Sequence, residues 1–459
     1  MVTNRGFDKQ VRNFAQDLGI PFLQVAVYPD PFDLETDAQL REKTVKIVFP
    51  QIVDALTKPI TGPKGPIATG DGREIVFTGT IDQINRYFTD KGWSDGMSIT
   101  PPTRQKVAEF LKYTDYPPDQ EIAVLPPANL KATPWNIAVN GVMAGCRPEY
   151  MPILIAAVQA IADPDFRYKN HGGSTHSFMN FFWINGPIAR QLGIDYGQGL
   201  IANPVNRVIG RAMSLIERNI AGLRIKETQM GSFGKQLSWV LAEDEEAMTK
   251  LGWEPYHVGK GFAKNANTLS AGYSTLWGRN LIPSTSDPKI LMQIMAYGIT
   301  TTEAFASGFT GQSQRYVLVA PGVAKVLADG GYTKKSLRED LIKNARKITY
   351  EAVFSKVYGS FGPVYNSFEA ELQKALKNKN TKKGMLPPWY PRFPGWENIE
   401  TSPVITQVEF IVCGDPARNK VQILAGGPGS AIKEIKLPAK WNELMAKAGY
   451  RPLQEFFLK

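Results

Sequence analysis

Residues 178–187 have the sequence FMNFFWINGP, and this stretch decides the fold class. The aromatic run over residues 178–184 predicts a buried strand, and Asn185, Gly186 and Pro187 predict a turn into a helix. In α/β folds such a turn directs backbone N–H groups toward the carboxyl edge of the sheet, where an anion can bind. An ordinary tight turn has the same pattern. Asn185 and Gly186 are therefore candidate substrate-binding residues.

Short apolar runs alternate with helical patterns along the rest of the chain. Strands are predicted over residues 22–27, 122–125, 316–320, 407–413 and 421–425. Helices are predicted over residues 37–56, 104–111, 134–143, 204–220 and 321–328. This alternation predicts an α/β fold with a mixed, largely parallel sheet and flanking helices. We find no internal repeat in the sequence.

The two ends of the chain differ from its middle. One strand and one helix cannot enclose a core, so residues 1–60 are predicted to be an incomplete α/β piece that a partner subunit completes. Residues 61–80 include a Pro- and Gly-rich stretch and are predicted to be a linker. Residues 81–435 are the predicted main catalytic unit, with a surface excursion over residues 371–400. Residues 436–459 are the predicted C-terminal helix and tail.

The composition excludes several classes of protein. The 459 residues include 53 Lys and Arg against 43 Asp and Glu, which gives a net charge of +10. This basic excess is spread along the chain, so no nucleic-acid partner is predicted. Two cysteines exclude a disulfide scaffold. The longest apolar stretch, residues 153–162, is too short for a membrane span, and residues 1–21 do not resemble a signal peptide. We therefore expect a cytoplasmic protein without membrane contact.

Cys146 is the leading catalytic candidate. Pro148 and Pro152 lie in one apolar helix pattern, and proline is tolerated only in the first helical turn, so this helix must begin near Pro148. Cys146 then lies just before a helix N-terminus and beside Arg147, and both features lower the pKa of a thiol. The alternative is a buried structural cysteine, which is the commoner role of this residue type.

The three histidines are candidates for proton transfer. His171 and His176 flank two glycines in the segment HGGSTH, which predicts a substrate loop that carries a general base. His171 and Gly173 are candidate substrate-binding residues in this loop. A metal held by His171 and His176 is an alternative, but no Cys or carboxylate completes a metal-binding spacing, so no cofactor is predicted. His257 lies in a second loop, and the sequence does not show which histidine is near Cys146.

A predicted helix that starts at Asn203 and Pro204 carries Arg207 and Arg211 on one face. Two such arginines can hold a carboxylate or phosphate group of a substrate. They can equally be solvated or paired with carboxylates of the same chain. Asn203 and Arg207 complete the set of candidate substrate-binding residues.

Five motifs together resemble a known family. They are WSDGMSITPPT at residues 93–103, VNGVMAGCRPEYMPILIAAVQAI at 139–161, INGPIARQLGI at 184–194, NRVIGRAMSLIERNIAG at 206–222 and WEPYHVGKGF at 253–262. In these motifs the chain resembles the large domain of the prokaryotic UGSC (seleno)proteins, which are named for a Sec/Cys-Gly-Ser-Cys motif. The resemblance covers roughly residues 85–435 and is most specific over residues 143–150.

The chain departs from this family at its start. It has no Cys-Gly-Ser-Cys motif, and residues 18–58 resemble only the end of the family's thiol-bearing domain. The resemblance therefore implies a split protein, in which a separate small subunit carries the redox thiol or selenol. A hetero-oligomer follows from this interpretation.

The resemblance and the residues together predict the large subunit of a heteromeric thiol- or selenol-dependent enzyme. It would act by redox chemistry on a small polar or anionic molecule. Cys146 and Arg147 would provide and tune the thiolate, and Glu149, Tyr150, His176 or His257 would move protons. A first alternative is a non-redox lyase or hydratase that uses histidine and carboxylate groups, with or without a metal. A second is a non-catalytic scaffold subunit for the thiol-bearing partner.

Overall fold

The computed structural model describes residues 1–59, 73–175, 177–232, 234–235, 237–275, 278–302, 314–348, 382–383, 400–427 and 429–458. The predicted linker up to residue 72 and nearly all of the predicted excursion over residues 371–400 lie outside the described residues. The candidate base His176 also lies outside them.

Helices make up the larger part of the regular structure. They are α1 (Arg5–Asp17), α2 (Asp37–Lys43), α3 (Phe49–Thr57), α4 (Ile81–Asp90), α5 (Arg104–Leu111), α6 (Pro134–Ala144), α7 (Met151–Ala162), α8 (Tyr168–Gly172), α9 (Pro187–Leu192), α10 (Pro204–Asn219), α11 (Glu245–Lys250), α12 (Tyr256–Gly259), α13 (Pro288–Thr301), α14 (Pro321–Asp329), α15 (Lys334–Asn344) and α16 (Trp441–Lys447). Short 3₁₀ turns lie at Phe32–Leu34, Pro148–Tyr150, Pro164–Phe166, Leu200–Ala202 and Leu453–Phe456, and a π-helical turn at Thr44–Val48 joins α2 to α3. Within the described ranges, no helix combines the length and apolarity needed to cross a membrane.

The strands run through the whole chain. They are β1 (Val2–Asn4), β2 (Ala26–Tyr28), β3 (Ala123–Leu125), β4 (Leu130–Ala132), β5 (Met179–Asn185), β6 (Trp239–Ala242), β7 (Thr268–Ser274), β8 (Arg279–Leu281), β9 (Gln314–Val319), β10 (Arg346–Ile348), β11 (Lys382–Lys383), β12 (Glu400–Pro403), β13 (Gln407–Val412), β14 (Val421–Gly426) and β15 (Ala431–Glu434). The predicted α/β class with flanking helices is confirmed.

Helix starts follow their sequence signals closely. Thr80, Thr103 and Thr133 each accept a hydrogen bond from a first-turn backbone N–H, at the starts of α4, α5 and α6. Asn203 caps α10 in the same way, with proline at the first helical position. These caps satisfy N–H groups that a helix cannot pair internally, so they fix where each helix begins.

The main sheet has eight described strands and is mixed. Six strands follow in the order β13-β9-β14-β7-β5-β6, while β15 pairs with β7 and β8 pairs with β14. β5 is parallel to β6 and β9 is parallel to β13, but the other described pairs of this sheet are antiparallel. The expected predominance of parallel pairs is therefore wrong. After β6, and again after β13, the chain starts its next strand from the end of the sheet at which the previous strand finished. That next strand is therefore antiparallel to the previous one.

The sheet consists of two halves with the same topology. In the first half-sheet (β5, β6, β7), β5 leads through helices to the parallel strand β6, and β7 returns antiparallel on the other side of β5. In the second half-sheet (β9, β13, β14), β9, β13 and β14 repeat this order. The strand that follows each half-sheet in the chain pairs with the other half-sheet. β8 follows β7 and pairs with β14, and β15 follows β14 and pairs with β7. The structure therefore contains a repeat that the sequence did not reveal.

Each half-sheet has its own outer core, and both share the inner one. Helices α6, α7 and α10 pack on the outer face of the first half-sheet, and α13, α14 and α15 pack on that of the second. The inner face holds a cluster of aromatic side chains from both halves, including Phe181, Trp183, Trp239 and Tyr316. The two edge strands meet at their carboxyl ends, where the Asp244 N–H donates to the carbonyl oxygen of Val412 at 2.8 Å. The sheet is thus curled around the aromatic cluster.

Residues 1–59 form a small α/β unit. β1 and β2 are parallel and α1 connects them, while α2 and α3 cover β2 through a core of Ala26, Tyr28 and Val48. The side chain of Gln10 on α1 donates to the carbonyl oxygens of Gly173 and Thr228, both at 3.3 Å, which attaches this unit to the main one. Strand β1 and helix α1 were not predicted from the sequence.

The C-terminal segment packs into the main unit. Trp441 and Met445 of α16 and Leu453 beyond it are buried in the core formed by α6, α7 and α10. The indole N–H of Trp441 donates to Gln191 Oε1 at 3.0 Å, and Gln191 Nε2 donates to the Arg451 carbonyl oxygen at 2.8 Å. These contacts bring residues 453–458 to the end of α9.

Candidate functional site

A cluster of polar side chains lies at the carboxyl ends of β5 and β6. Because these two strands are parallel, Asn185 at the end of β5 and Glu243 just after β6 lie at one edge of the sheet. The Asn185 amide donates to Glu243 Oε2 at 2.7 Å and to Glu245 Oε1 at 2.9 Å. One buried amide therefore holds two carboxyl groups together.

Gly186 makes the turn that the sequence predicted, and its N–H does bind a carboxylate. The group it binds is the side chain of Glu245, whose Oε1 lies 2.6 Å from the Gly186 nitrogen. Gly186 has φ +95°, and a Cβ there would lie 2.3 Å from the Ala266 carbonyl oxygen. Only glycine fits this conformation and this close approach. The predicted anion site is thus occupied by the protein's own Glu245.

Glu243 is fixed by both half-sheets. Its side chain is fully buried, and its Oε2 accepts from the Tyr256 N–H at 2.6 Å. Its Oε1 lies 3.5 Å from Nζ of Lys334 on α15, which belongs to the second half. Buried carboxylates need such donors because burial without partners is costly. Glu243 is therefore held in one position and serves to orient the Asn185 amide.

His257 faces Glu245 from helix α12. Its side chain is fully buried, and its Nε2 lies 3.1 Å from the Lys264 carbonyl oxygen. A carbonyl oxygen only accepts, so Nε2 carries the proton and Nδ1 of the neutral ring is an acceptor. Nδ1 lies 3.7 Å from Glu245 Oε1, which is just beyond hydrogen-bond distance, and no other described residue bonds to it. Nδ1 of His257 and Oε1 of Glu245 therefore face each other without a hydrogen bond between them.

Burial raises the pKa of Glu245. The nearby charge of Glu243 raises it further, while the donors Gly186 and Asn185 and the ring of His257 oppose the rise. Burial dominates because a charged carboxylate loses more solvation than the neutral acid. The Glu245 carboxyl group therefore keeps its proton to a higher pH than an ordinary glutamic acid, as a general acid requires.

A small cavity of about 20 Å³ opens on this cluster. It is lined by Gly186, Glu243 and Glu245, with the exposed cations Arg190 and Lys264 at its rim. That volume holds about one water molecule. Residues 456–458 of the C-terminal segment also line this cavity.

Cys146 lies where the sequence placed it, just before the 3₁₀ turn that leads into α7. Its thiol points into the core and donates to the Val208 carbonyl oxygen at 3.3 Å. Burial raises the pKa of this thiol, and the charge of Arg211 only partly offsets the rise. The predicted lowering of the pKa is therefore wrong, because loss of solvation outweighs the helix N-terminus and the neighbouring charge.

Arg147, Glu149 and Tyr150 form contacts with the C-terminal segment or the core. The Arg147 guanidinium donates to Tyr450 Oη at 2.9 Å, and that hydroxyl donates to Glu149 Oε1 at 2.6 Å. Tyr150 is buried, and burial raises its pKa. In this arrangement Arg147 and Glu149 bind Tyr450 of the C-terminal segment.

His171 and Gly173 lie in a second buried region. The His171 ring stacks on Tyr273 at a centroid distance of 3.8 Å, and its Nε2 lies 3.2 Å from Asn180 Oδ1. Burial, helped by the charge of Lys235, lowers the pKa of His171 to about 3, so the ring is neutral at pH 7. The Gly173 carbonyl oxygen accepts from the Gln10 side chain. Both residues hold the fold together around α8.

The described residues offer no metal site. Among them, no group of three or more His, Cys, Asp or Glu side chains could hold a metal ion. The alternative with His171 and His176 as ligands rests on a residue outside the described ranges.

Asn203 and Arg207 are not among the residues that line the small cavity. Asn203 Oδ1 accepts from the Val205 N–H at 2.9 Å and its Nδ2 donates to Asp195 Oδ2 at 3.3 Å, so its side chain serves as a helix cap. Arg207 is exposed on α10. Arg211 instead forms a two-pronged ion pair with Asp95, at 2.8 and 2.9 Å.

Of the predicted residues, the structure brings together Asn185, Gly186 and His257. The sequence analysis missed Glu243 and Glu245, which complete the cluster. A signal for them was present, because four acidic residues in a row, 243–246, follow strand β6 and start helix α11. One or two acidic residues suit a helix start, whereas four include some with another role.

Comparisons with known proteins add no family to this picture. A scan of the chain against models of protein families found no match, and a search of curated proteins found none either. The resemblance to the UGSC (seleno)proteins therefore stays a prediction from the sequence.

Proposed function

We propose that this chain is an enzyme of the lyase or hydratase type, which moves protons on a small anionic substrate without redox chemistry. The observation that carries the proposal is the largely buried pair of Glu245 and His257, of which Glu245 lines a cavity of about 20 Å³. Histidine and a carboxyl group with a raised pKa are the groups that general acid–base catalysis uses near neutral pH.

We assign a role to each group on the basis of its position. Adding water to a double bond needs a base that takes one proton from the water and an acid that gives one proton to the neighbouring carbon. We assign these two transfers to Glu245 and His257, whose Oε1 and Nδ1 lie 3.7 Å apart. Elimination of water reverses the same transfers. Asn185 and Gly186 orient the Glu245 carboxyl group through two hydrogen bonds.

The substrate class follows from the charges at the cavity rim. Arg190 and Lys264 are exposed there, and neither forms an ion pair with a described carboxylate. Two cations beside a proton-transfer pair favour a substrate with one or two carboxylate groups. The size of the cavity favours a small substrate, bound after residues 456–458 move.

The test is proton exchange, which detects the reaction whatever its product is. Small hydroxy- and unsaturated carboxylic acids are incubated with the protein in D₂O, and loss of carbon-bound protons is followed by ¹H NMR. We expect at least one acid to exchange, and Glu245→Gln to lower that rate by about a hundredfold or more. The control Glu109→Gln, at an exposed carboxylate paired with Lys112, should exchange at the wild-type rate. Equal rates for wild type and Glu245→Gln would contradict the proposal.

A second proposal concerns a partner, and the N-terminal unit favours it. In the described residues β1 and β2 form a sheet of only two strands. Large apolar side chains of the adjoining helical segment are exposed, with Val45 at 62%, Phe49 at 60% and Leu56 at 81%. Contiguous exposed apolar surface of this kind favours a protein interface. The partner we propose is the small thiol- or selenol-bearing subunit, which would extend the two-stranded sheet.

Native mass spectrometry of the protein purified from its own cells tests this second proposal. We expect a complex of this chain with a small subunit that contains a Cys-Gly-Ser-Cys or Sec-Gly-Ser-Cys motif. Phe49→Lys should release that subunit, whereas the matched control Ile290→Lys, at an apolar side chain 47% exposed on α13, should not. A single homogeneous chain would contradict the proposal.

A further inference from the structure

A second and much larger cavity lies away from the acid–base cluster. Its volume is about 670 Å³, and it shares no lining residue with the cavity beside Glu245. It is enclosed by α4, the start of α5, helix α6, the end of α10 and the extended segment 73–77. Pockets for small organic molecules usually have volumes of roughly 300–1,000 Å³. The cavity is therefore of ligand size.

The walls of this cavity are apolar and rich in aromatic rings. Phe77, Phe88, Trp93 and Trp135 line it, together with aliphatic side chains of α4 and α6. The Phe77 ring stacks on Tyr87 at a centroid distance of 4.6 Å, which fixes segment 73–77 over the opening. Aromatic walls favour a flat apolar body, because ring faces pack closely on other rings.

Side-chain amides supply part of the polar wall, and two of them, Asn140 and Asn219, are bonded to each other. Asn219 Nδ2 donates to Asn140 Oδ1 at 2.7 Å and to the Trp93 carbonyl oxygen at 3.0 Å. Asn140 Nδ2 donates in turn to the Asn136 carbonyl oxygen at 2.9 Å. These bonds use the amide N–H groups within the protein, so the wall presents no free charge here and stays in one arrangement.

The lining includes three cations, Arg73, Arg104 and Lys131, and one carboxylate, Glu74. Arg104 provides positive charge at the rim. Its guanidinium donates to the Arg73 carbonyl oxygen at 2.8 and 3.3 Å, and that acceptor is neutral. Lys131 at the same rim is paired with Glu121 at 3.0 Å, and Arg73 is paired with Asp119. Among the described carboxylates, none forms an ion pair with Arg104. A positive charge at the mouth of an apolar cavity attracts a molecule with an anionic end.

We propose that this cavity binds a carboxylic acid with a flat, apolar body, as a site separate from the acid–base cluster. The body contacts the aromatic walls and the carboxylate points to Arg104. The shape of the cavity selects the apolar body, and the rim selects the anion over its neutral analogue. The proposal does not depend on Glu245 or His257, because neither residue lines this cavity.

Isothermal titration calorimetry with two matched probes tests the proposal. The probes are 2-naphthoic acid and its neutral analogue 2-naphthamide, which share one ring body. We expect 2-naphthoic acid to bind the wild-type chain once and more tightly than the amide. Arg104→Gln should weaken binding of the acid by about threefold to fivefold and leave the amide unchanged, as for loss of one exposed ion pair. The control Arg86→Gln, at an exposed arginine of α4 outside the cavity lining, should change neither.

A second variant fills the cavity. Val139→Trp places a large side chain into the space from α6 and should weaken both probes at least tenfold. Arg104→Gln keeps the proposal testable even if Val139→Trp does not fold, because Arg104 is exposed. Absence of saturable binding of either probe, or binding that survives Val139→Trp, would overturn the site. Equal affinity of acid and amide would overturn its anionic class.

Discussion

The two half-sheets have the same topology, but the side chains at the carboxyl ends of their strands differ in chemical character. In the first half-sheet the Glu243 N–H donates to the Ile184 carbonyl oxygen at 3.2 Å, and in the second the Cys413 N–H donates to Val319 at 3.0 Å. Glu243 and Cys413 therefore occupy equivalent positions. One is a buried carboxylate held by three donors, and the other is a buried thiol in an apolar core.

The turns that follow the first strand of each half-sheet also differ from each other. Gly186, the residue just before α9, has φ +95° and binds Glu245, whereas Ala320, the residue just before α14, has φ −62°. The repeated topology thus supports the shared core, and the site depends on residues added at one pair of strand ends. This is the general separation of fold and function, seen within one chain.

The largest expected effect on stability is a difference between substitutions at the two equivalent buried residues. Glu243→Ala leaves the Tyr256 N–H without its acceptor and removes one acceptor each from the Asn185 amide and Lys334, and it should lower the free energy of unfolding by about 3–5 kcal/mol. Cys413→Ala removes one sulfur atom and should cost about 1–2 kcal/mol. Urea denaturation of both variants measures the difference. Equal losses would show that the two positions are alike in energy.

The two turns should differ by a smaller amount. Gly186→Ala forces a Cβ against the Ala266 carbonyl oxygen at 2.3 Å and should cost about 2–4 kcal/mol of unfolding free energy. Ala320→Gly only adds backbone freedom and should cost about 0.5–1 kcal/mol. Thermal and urea unfolding measure both. A tolerated Gly186→Ala would contradict the close approach at this turn.

Loss of folding stability at acid pH should arise in the first half of the fold, because the described histidines lie there. The pKa of His171 is lowered to about 3 in the folded chain, from an ordinary value of 6.5. The unfolded chain therefore binds the proton first, so stability is present above pH 6.5 and is lost as the pH falls toward 3. Between pH 6.5 and 5 the loss due to His171 should be about 2 kcal/mol.

The free energy of unfolding, measured against pH, checks this expectation. His171→Gln should reduce the slope of that curve between pH 6.5 and 5 relative to wild type. An unchanged slope in this variant would show that His171 is not the group that titrates.

The smallest expected effect concerns the two thiols. Burial raises the pKa values of Cys146 and Cys413, and at Cys413 the charges of Glu243 and Asp244 add to the rise. Both thiols should therefore react with iodoacetamide at pH 8 at least about tenfold more slowly in the native chain than after unfolding. Mass spectrometry of the alkylated chain measures this. Rapid native labelling of Cys146 would return it to the candidate nucleophiles.

Local signals in the sequence predicted local structure well. The helices predicted to start at residues 104, 134 and 204 do begin there, after the caps Thr103, Thr133 and Asn203, since a cap depends on residues within one helical turn. The strand and turn at residues 178–187 were likewise evident from their own side chains. Features that depend only on neighbouring residues could therefore be predicted from the sequence.

Features that depend on distant contacts were not available from the sequence. The pKa of Cys146 is set by burial against Val208, which is 62 residues away. The ligand of Gly186 is Glu245, 59 residues away, and strand order depends on pairings over longer separations still. A helix start or an acidic run identifies a candidate residue, but its partner is decided by the packing of the whole sheet.

The most direct test of the acid–base account is a titration of Glu245 itself, which needs no substrate. The carbonyl stretch of a protonated carboxyl group is followed against pH by infrared difference spectroscopy between wild type and Glu245→Gln. We expect a midpoint above the ordinary glutamic acid value of 4.5, because burial raises the pKa of this group. A midpoint at or below 4.5 would show an ordinary ionised carboxylate and would contradict its role as the proton donor.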